Sequence, residues 1–194
     1  CLAARVPGCT LVGLEREAVL AEAARANVAR NDLAGRVAIV HGDLASPPPE
    51  LGRFDAVMTN PPYLRPETVR GSPEALRRAA TVESMPLAAW IAACTALLTQ
   101  TGELVVVHRA DRLADLLAAL PTSLGAVRLL PLWPDAVGRR PARRILLRAT
   151  RGARAPLVVL PGLALHEADG GYTPAAEAIL RHGGPLTWPG DDTP

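Results

Sequence analysis

What most limits the folds open to this chain is its alternation of short apolar runs with alanine-rich helical stretches. Thr10 to Glu15 (TLVGLE) is the first such run, and Arg16 to Asn31 then repeats Ala, Leu and Val at three- and four-residue spacing. That spacing predicts a helix. Arg36 to His41 (RVAIVH) predicts a second strand, closed by Gly42-Asp43 and a turn carrying Pro47, Pro48 and Pro49. Phe54 to Thr59 predicts a third strand and Gly102 to His108 (GELVVVH) a fourth. Between them Ser84 is placed to cap a helix from about Pro86 to Leu98, with proline tolerated in its first turn. Asp111 is placed to cap another helix running through Leu120. Near-continuous apolar strands separated by helices describe an α/β fold with a mostly parallel sheet covered on both faces.

After Pro121 the pattern changes. Val127 to Leu132 and Arg144 to Ala149 are strand-like and joined by Pro- and Arg-rich sequence, which predicts an antiparallel pair at the C-terminal sheet edge. Leu157 to Leu160 predicts a short further strand, and Thr173 with Pro174 opens a last helix. No repeat or linker divides the chain, so one domain is expected over residues 1–182, with a frayed tail over 183–194.

The chain has 194 residues, 49% of them apolar, yet no stretch approaches the ~18–20 uninterrupted apolar residues of a membrane span. Cys1, Cys9 and Cys94 show no metal-ligand spacing, so no metal is expected and a reducing cytoplasm fits their use. The net charge is only +2, but all 21 basic residues are arginine. Arginine binds phosphate in a planar, bidentate way, which suits RNA, although a general Arg and Ala bias would give the same count.

In an open parallel sheet, ligands bind beyond the carboxyl ends of the strands. Three of those ends carry Glu15, Asp43 and Asn60. An acid there can accept from ribose hydroxyls, as Glu15 could, and Asp43 could accept from an exocyclic amine of an adenine moiety. Asn60-Pro61-Pro62-Tyr63 is more specific. Two successive prolines end the strand at Asn60 and restrict the backbone before each of them. The result is a stiff turn that holds the Asn60 side-chain oxygen and the Pro61 carbonyl as neighbouring acceptors. Two acceptors suit a planar amino group with two hydrogens, and engaging both favours a pyramidal nitrogen with a free lone pair. Tyr63 then offers a face on which a base could stack, worth roughly 1–3 kcal/mol.

The NPPY turn resembles that of the N6-adenine and related amino-group methyltransferases that use S-adenosylmethionine. The chain is similar above all to the bacterial valine-tRNA (adenine-37 N6)-methyltransferases. The stretches that carry this are LVGLE (11–15), AARANVARN (23–31), HGDL (41–44), FDAVMTNPPY (54–63), SPEALRRAATVE (72–83), GELVVVHRADRL (102–113) and HEADGGYTP (166–174). The resemblance implies a Rossmann-like class I methyltransferase. Glu15 would hold the cofactor ribose and Asp43 its adenine edge, with Leu44 flanking that ring and Asn60 also bordering the cofactor. Asn60 and Pro61, braced by Pro62, would hold the target amine, and Tyr63 would stack on a flipped base. Methyl transfer would be a direct displacement needing no covalent intermediate. One departure stands out: no GxGxG occurs, and LAARVPG (2–8) resembles the end of the helix that follows that turn. The chain is therefore expected to be an N-terminally truncated fragment without the family's first strand and glycine-rich turn, and to bind cofactor weakly.

Two basic regions are candidate RNA contacts. Arg65, Arg70, Arg77 and Arg78 follow the NPPY turn, and seven arginines without an acid lie between Arg139 and Arg154. A solvated arginine surface is the alternative reading of each. His108 and Arg109 close the fourth strand without an assigned catalytic role. The expected activity is methylation of adenine N6 in RNA, with tRNA as the expected acceptor. Protein-glutamine N5 methylation, ribosomal-RNA guanine-N2 methylation and a non-catalytic RNA-binding module are the alternatives. Nothing in the sequence sets an oligomeric state.

Overall fold

The computed structural model describes residues 1–62, 85–137 and 140–188. Residues Cys1–Gly52 form one compact unit and Arg53–Pro194 a second.

The first unit is a βαβ element. Strands β1 (Leu11–Glu15) and β2 (Val37–His41) pair in parallel from Leu11↔Val37 to Glu15↔His41. Helix α2 (Ala18–Arg30) joins them, after a short α1 (Leu2–Arg5). It starts two residues later than the spacing predicts, because Glu17 keeps an extended backbone at the N-cap. At the other end Asp32 takes a positive φ of 53°, and the Leu33 N–H donates to the Val28 carbonyl at 3.0 Å, which turns the chain into β2. One Arg36 nitrogen donates to the carbonyls of Ala3, Val6 and Pro7 at 2.9, 3.3 and 3.0 Å and pins the α1 turn. The buried apolar side chains of this unit are Ala3 and Ala21.

The second unit is a mixed six-stranded sheet built on β3 (Phe54–Thr59), β4 (Leu98–Arg109), β5 (Leu124–Trp133), β6 (Arg144–Arg151), β7 (Val158–Val159) and β8 (Leu163–Ala164). The strand order is β3-β4-β6-β5-β7, with β8 also on β5. β3 runs parallel to β4, β6 is antiparallel to both β4 and β5, and β7 and β8 run parallel to β5. The expected antiparallel pair is therefore present, but β7 and β8 extend the sheet beyond it. Leu104, Val106, Leu147 and Ala149 alternate inward and are fully buried, with Ile91 of α3 (Leu87–Ala96) and Leu116 of α4 (Leu113–Ala118) also fully buried. Each such leucine or isoleucine contributes roughly 1.5–3 kcal/mol by leaving water.

α3 begins at the N-cap Pro86 without a side-chain cap, and Ser84 lies outside the described residues. Asp111 does not cap α4. Arg109, two residues before it, takes its carboxylate, and a 3₁₀ turn over Ala110–Arg112 intervenes before the helix. At the chain's last helix, α5 (Pro174–Leu180), the expected cap is present: Thr173 accepts the Ala176 N–H at 3.1 Å and donates to the Ala164 carbonyl at 2.8 Å. Among the described residues no helix is long and apolar enough to cross a membrane, and no group of acids, histidines and cysteines could hold a metal.

Candidate active site

In the first unit, β1 and β2 end side by side on two acids. The Glu15 carbonyl accepts the Gly42 N–H at 2.9 Å, one step beyond the Glu15↔His41 pair, and Asp43 follows at once. Each carboxylate is oriented by a backbone N–H two residues further on. Glu17 donates to Glu15 Oε1 at 2.9 Å, and Ala45 donates to Asp43 Oδ1 at 2.9 Å. These local loops leave the second oxygen of each acid as an acceptor. At Gly42 a Cβ would lie 3.0 Å from Pro48 Cγ and Cδ, so the glycine lets the proline-rich turn pack closely on the strand end. Leu44 is half-buried beside Asp43 in sequence. Glu15, Asp43 and Leu44 thus stand at the same end of the β1–β2 pair.

In the second unit, β3 delivers Thr59 and then Asn60. Asn60 is exposed, whereas Pro61 and Pro62 are buried, Pro61 completely. The rings thus anchor the turn while the amide stays open to solvent. The anchoring continues backward through Thr59. Trp90 Nε1 donates to Thr59 Oγ1 at 2.9 Å, and the same hydroxyl bonds the Cys94 thiol. Trp90 and Cys94 are four residues apart on α3 and so lie on one face of it. Burial pushes the Cys94 thiol up to about 11, offset in part by the Thr59 hydrogen bond. A thiol held neutral in this way is a poor nucleophile, as a direct displacement would allow.

His108 is buried in β4, and Arg109 at its end grips Asp111 through Nε at 2.8 Å and through a second nitrogen. The Arg109 hydrogen bond holds the Asp111 carboxyl below the ordinary carboxylate range. Tyr63, Arg65, Arg70, Arg77 and Arg78 lie outside the described residues.

The sequence offered no signal for the Thr59–Trp90–Cys94 link, since its members come from separate elements. It also gave none for a second aromatic cluster. The rings of His166 and Tyr172 stack with centroids 5.0 Å apart, and the Arg181 guanidinium lies 5.6 Å from the Tyr172 ring. Of the tryptophans expected to pack at the core or edge, Trp133 donates to the Pro161 carbonyl at 2.9 Å and Trp188 lies under Arg148.

Comparison with known proteins gives a consistent set of relatives. A family model described as methyltransferase small domain matches residues 1–130. A tRNA1(Val) (adenine(37)-N6)-methyltransferase of Porphyromonas gingivalis strain ATCC BAA-308 / W83 is 32% identical over 187 residues, covering 89% of this chain and 69% of that protein. A protein of the same name from strain ATCC 33277 of that organism is 33% identical over 119 residues, 59% of this chain and 46% of its own length. Among solved structures, one described as a predicted O-methyltransferase, protein Atu636 from Agrobacterium tumefaciens, superposes with a TM-score of 0.77 at 23% identity. It covers 97% of this chain and 85% of that one, a likeness of fold.

Proposed function

Because the chain belongs to the methyltransferase small domain family and is a methyltransferase, we propose that it transfers the methyl group of S-adenosylmethionine to the N6 amine of an adenine in RNA. The acceptor in this proposal is tRNA, at adenine 37 of a valine tRNA. The observation that carries it is the Asn60-Pro61 turn, an exposed amide on a buried proline anchor at the end of β3. The two tRNA adenine-N6 methyltransferases that resemble the chain support the choice of acceptor.

The residues at the end of β1 and β2 fit an adenosyl group. Glu15 and Asp43 end neighbouring strands, each carboxylate held by a backbone N–H and each with an oxygen to spare. Glu15 would accept from ribose hydroxyls and Asp43 from the adenine amine, with Leu44 against the ring. When bound, S-adenosylmethionine supplies a methyl group activated by its sulfonium. Asn60 Oδ1 and the Pro61 carbonyl accept the two hydrogens of the target amine and orient its lone pair. As the new N–C bond forms, positive charge grows on that nitrogen, and the same two oxygens stabilise it. The excess proton then leaves to solvent. Tyr63 would stack on the extruded base, and Arg65, Arg70, Arg77 and Arg78 would hold the RNA around it.

Incubation with labelled S-adenosylmethionine and either total tRNA or a release factor, followed by digestion, tests this. N6-methyladenosine is the expected product. Methylglutamine, with no labelled nucleoside, would replace the RNA assignment by a protein acceptor.

A further inference from the structure

The seven arginines from Arg139 to Arg154 are one basic run in sequence, but β6 carries Arg144 and Arg151 to opposite ends of the sheet's strands. β6 begins at Arg144, which pairs with Arg109 at the carboxyl end of β4 and with Leu132 near the carboxyl end of β5. It ends at Arg151, opposite Leu124 at the start of β5. Ala110 donates to the Arg143 carbonyl at 3.0 Å and carries the pairing one residue further out. β3 runs parallel to β4 with Thr59 opposite Val106, so the Asn60 turn leaves the sheet at the same edge as Arg143 and Arg144. Only β4 separates β3 from β6, a lateral distance of about 10 Å at the usual strand spacing. That matches roughly three nucleotides at the ~3.4 Å rise of one stacked strand.

The charges on this edge are unevenly matched. Asp111 is held by Arg109, and Asp135 accepts from Arg140 at 2.6 Å. Arg143 and Arg144 are exposed, and among the described residues no acid pairs with either. After β8, which lies on β5, Glu167 and Asp169 are exposed acids. Arg151 differs in kind, since it donates to the Leu98 carbonyl at 2.6 Å and so ties two strands together at the far edge.

We infer that Arg143 and Arg144 bind the sugar–phosphate backbone of the substrate RNA, within a few nucleotides of the base held at Asn60, a role that rests on the RNA acceptor proposed above. Uncompensated guanidiniums on two successive residues at the start of β6 present bidentate donors to phosphate oxygens without reading sequence. They set the position of the strand across the carboxyl edge.

The test is tRNA binding by the full chain across a series of salt concentrations. R143Q/R144Q should lose about tenfold or more in affinity and flatten the slope of log affinity against log salt by about two. R154Q, a single charge removed at the opposite edge, should leave the slope as it is, and R143K/R144K should keep most of it. An unchanged slope in R143Q/R144Q, or the same per-charge fall in R154Q, would overturn the assignment. If R143Q/R144Q binds and methylates tRNA as the parent does, this inference fails while the RNA acceptor stands. If the parent chain binds no tRNA and methylates a protein glutamine, both fail.

Discussion

The Thr59 hydroxyl accepts from Trp90 and bonds Cys94, so the residue just before Asn60 is tied to two consecutive turns of α3. Thr59→Val keeps the shape and deletes those bonds, and should cost about 1–2 kcal/mol by leaving the indole N–H without its partner. Asn60→Ala should act differently. It should abolish methyl transfer while leaving S-adenosylmethionine binding and thermal stability nearly unchanged, because the Asn60 side chain is exposed and Pro61 does the anchoring. Titration calorimetry beside a single-turnover assay separates the two, and near-normal turnover would remove Asn60 from the chemistry. Cys94 gives a third outcome. Its pKa is raised from 9.0 to about 11 in the folded chain, so its contribution to stability is complete below pH 9 and is lost as pH rises from 9 through 11. The full span is worth on the order of 2–3 kcal/mol. The chain has no lysine to titrate in the same window, so Cys94→Ala should visibly flatten the alkaline fall of the melting temperature.

Helices and strands were read from sequence where one face decides them. β3 was found at Phe54–Thr59 because a continuous apolar run meets two prolines, and α5 because Thr173 and Pro174 make a cap whatever else surrounds them. β4 begins at Leu98, four residues before the apolar run GELVVVH would place it, because pairing with Phe54 recruits the polar Thr99-Gln100-Thr101 segment. A strand partner from elsewhere in the chain carries no local signature. The same holds for β8, two residues long and defined by Leu132 and Trp133. Within the candidate site, Glu15, Asp43 and Asn60 were visible as polar residues ending apolar runs. Trp90 was not, since 31 residues separate it from Thr59. The pairing of β5 with β6 shifts register between Gly125 and Arg128, and there Ala126 adopts φ 49°. A Cβ on Gly125 would fall 2.0 Å from the Ala153 carbonyl oxygen, which is backbone and cannot step aside. Gly125→Ala should therefore destabilise the second unit by about 3 kcal/mol or more in chemical denaturation.

The chain divides its work between two units with separate sheets. Among the described residues the second holds nearly all the buried apolar side chains, most of them in β4, β5, β6, α3 and α4, and the Asn60-Pro61 turn grows from that base. The first holds the acids proposed for the methyl donor, yet its buried apolar residues are Ala3 and Ala21. Backbone amides of β4 and β6 should accordingly exchange with solvent most slowly, and those of β1 and β2 much faster, by hydrogen-exchange mass spectrometry. A unit with so little buried carbon gains a large share of its order from whatever binds it. At a hundredfold excess over its Kd, a ligand selective for the folded form adds about 2.7 kcal/mol, comparable with burying one leucine. With the methyl donor at Glu15 and Asp43, as proposed, folding of β1–α2–β2 and donor occupancy become one equilibrium. Ala21→Gly, at a fully buried position on α2, should weaken donor binding and slow its association, because part of the binding energy would first have to complete the helix.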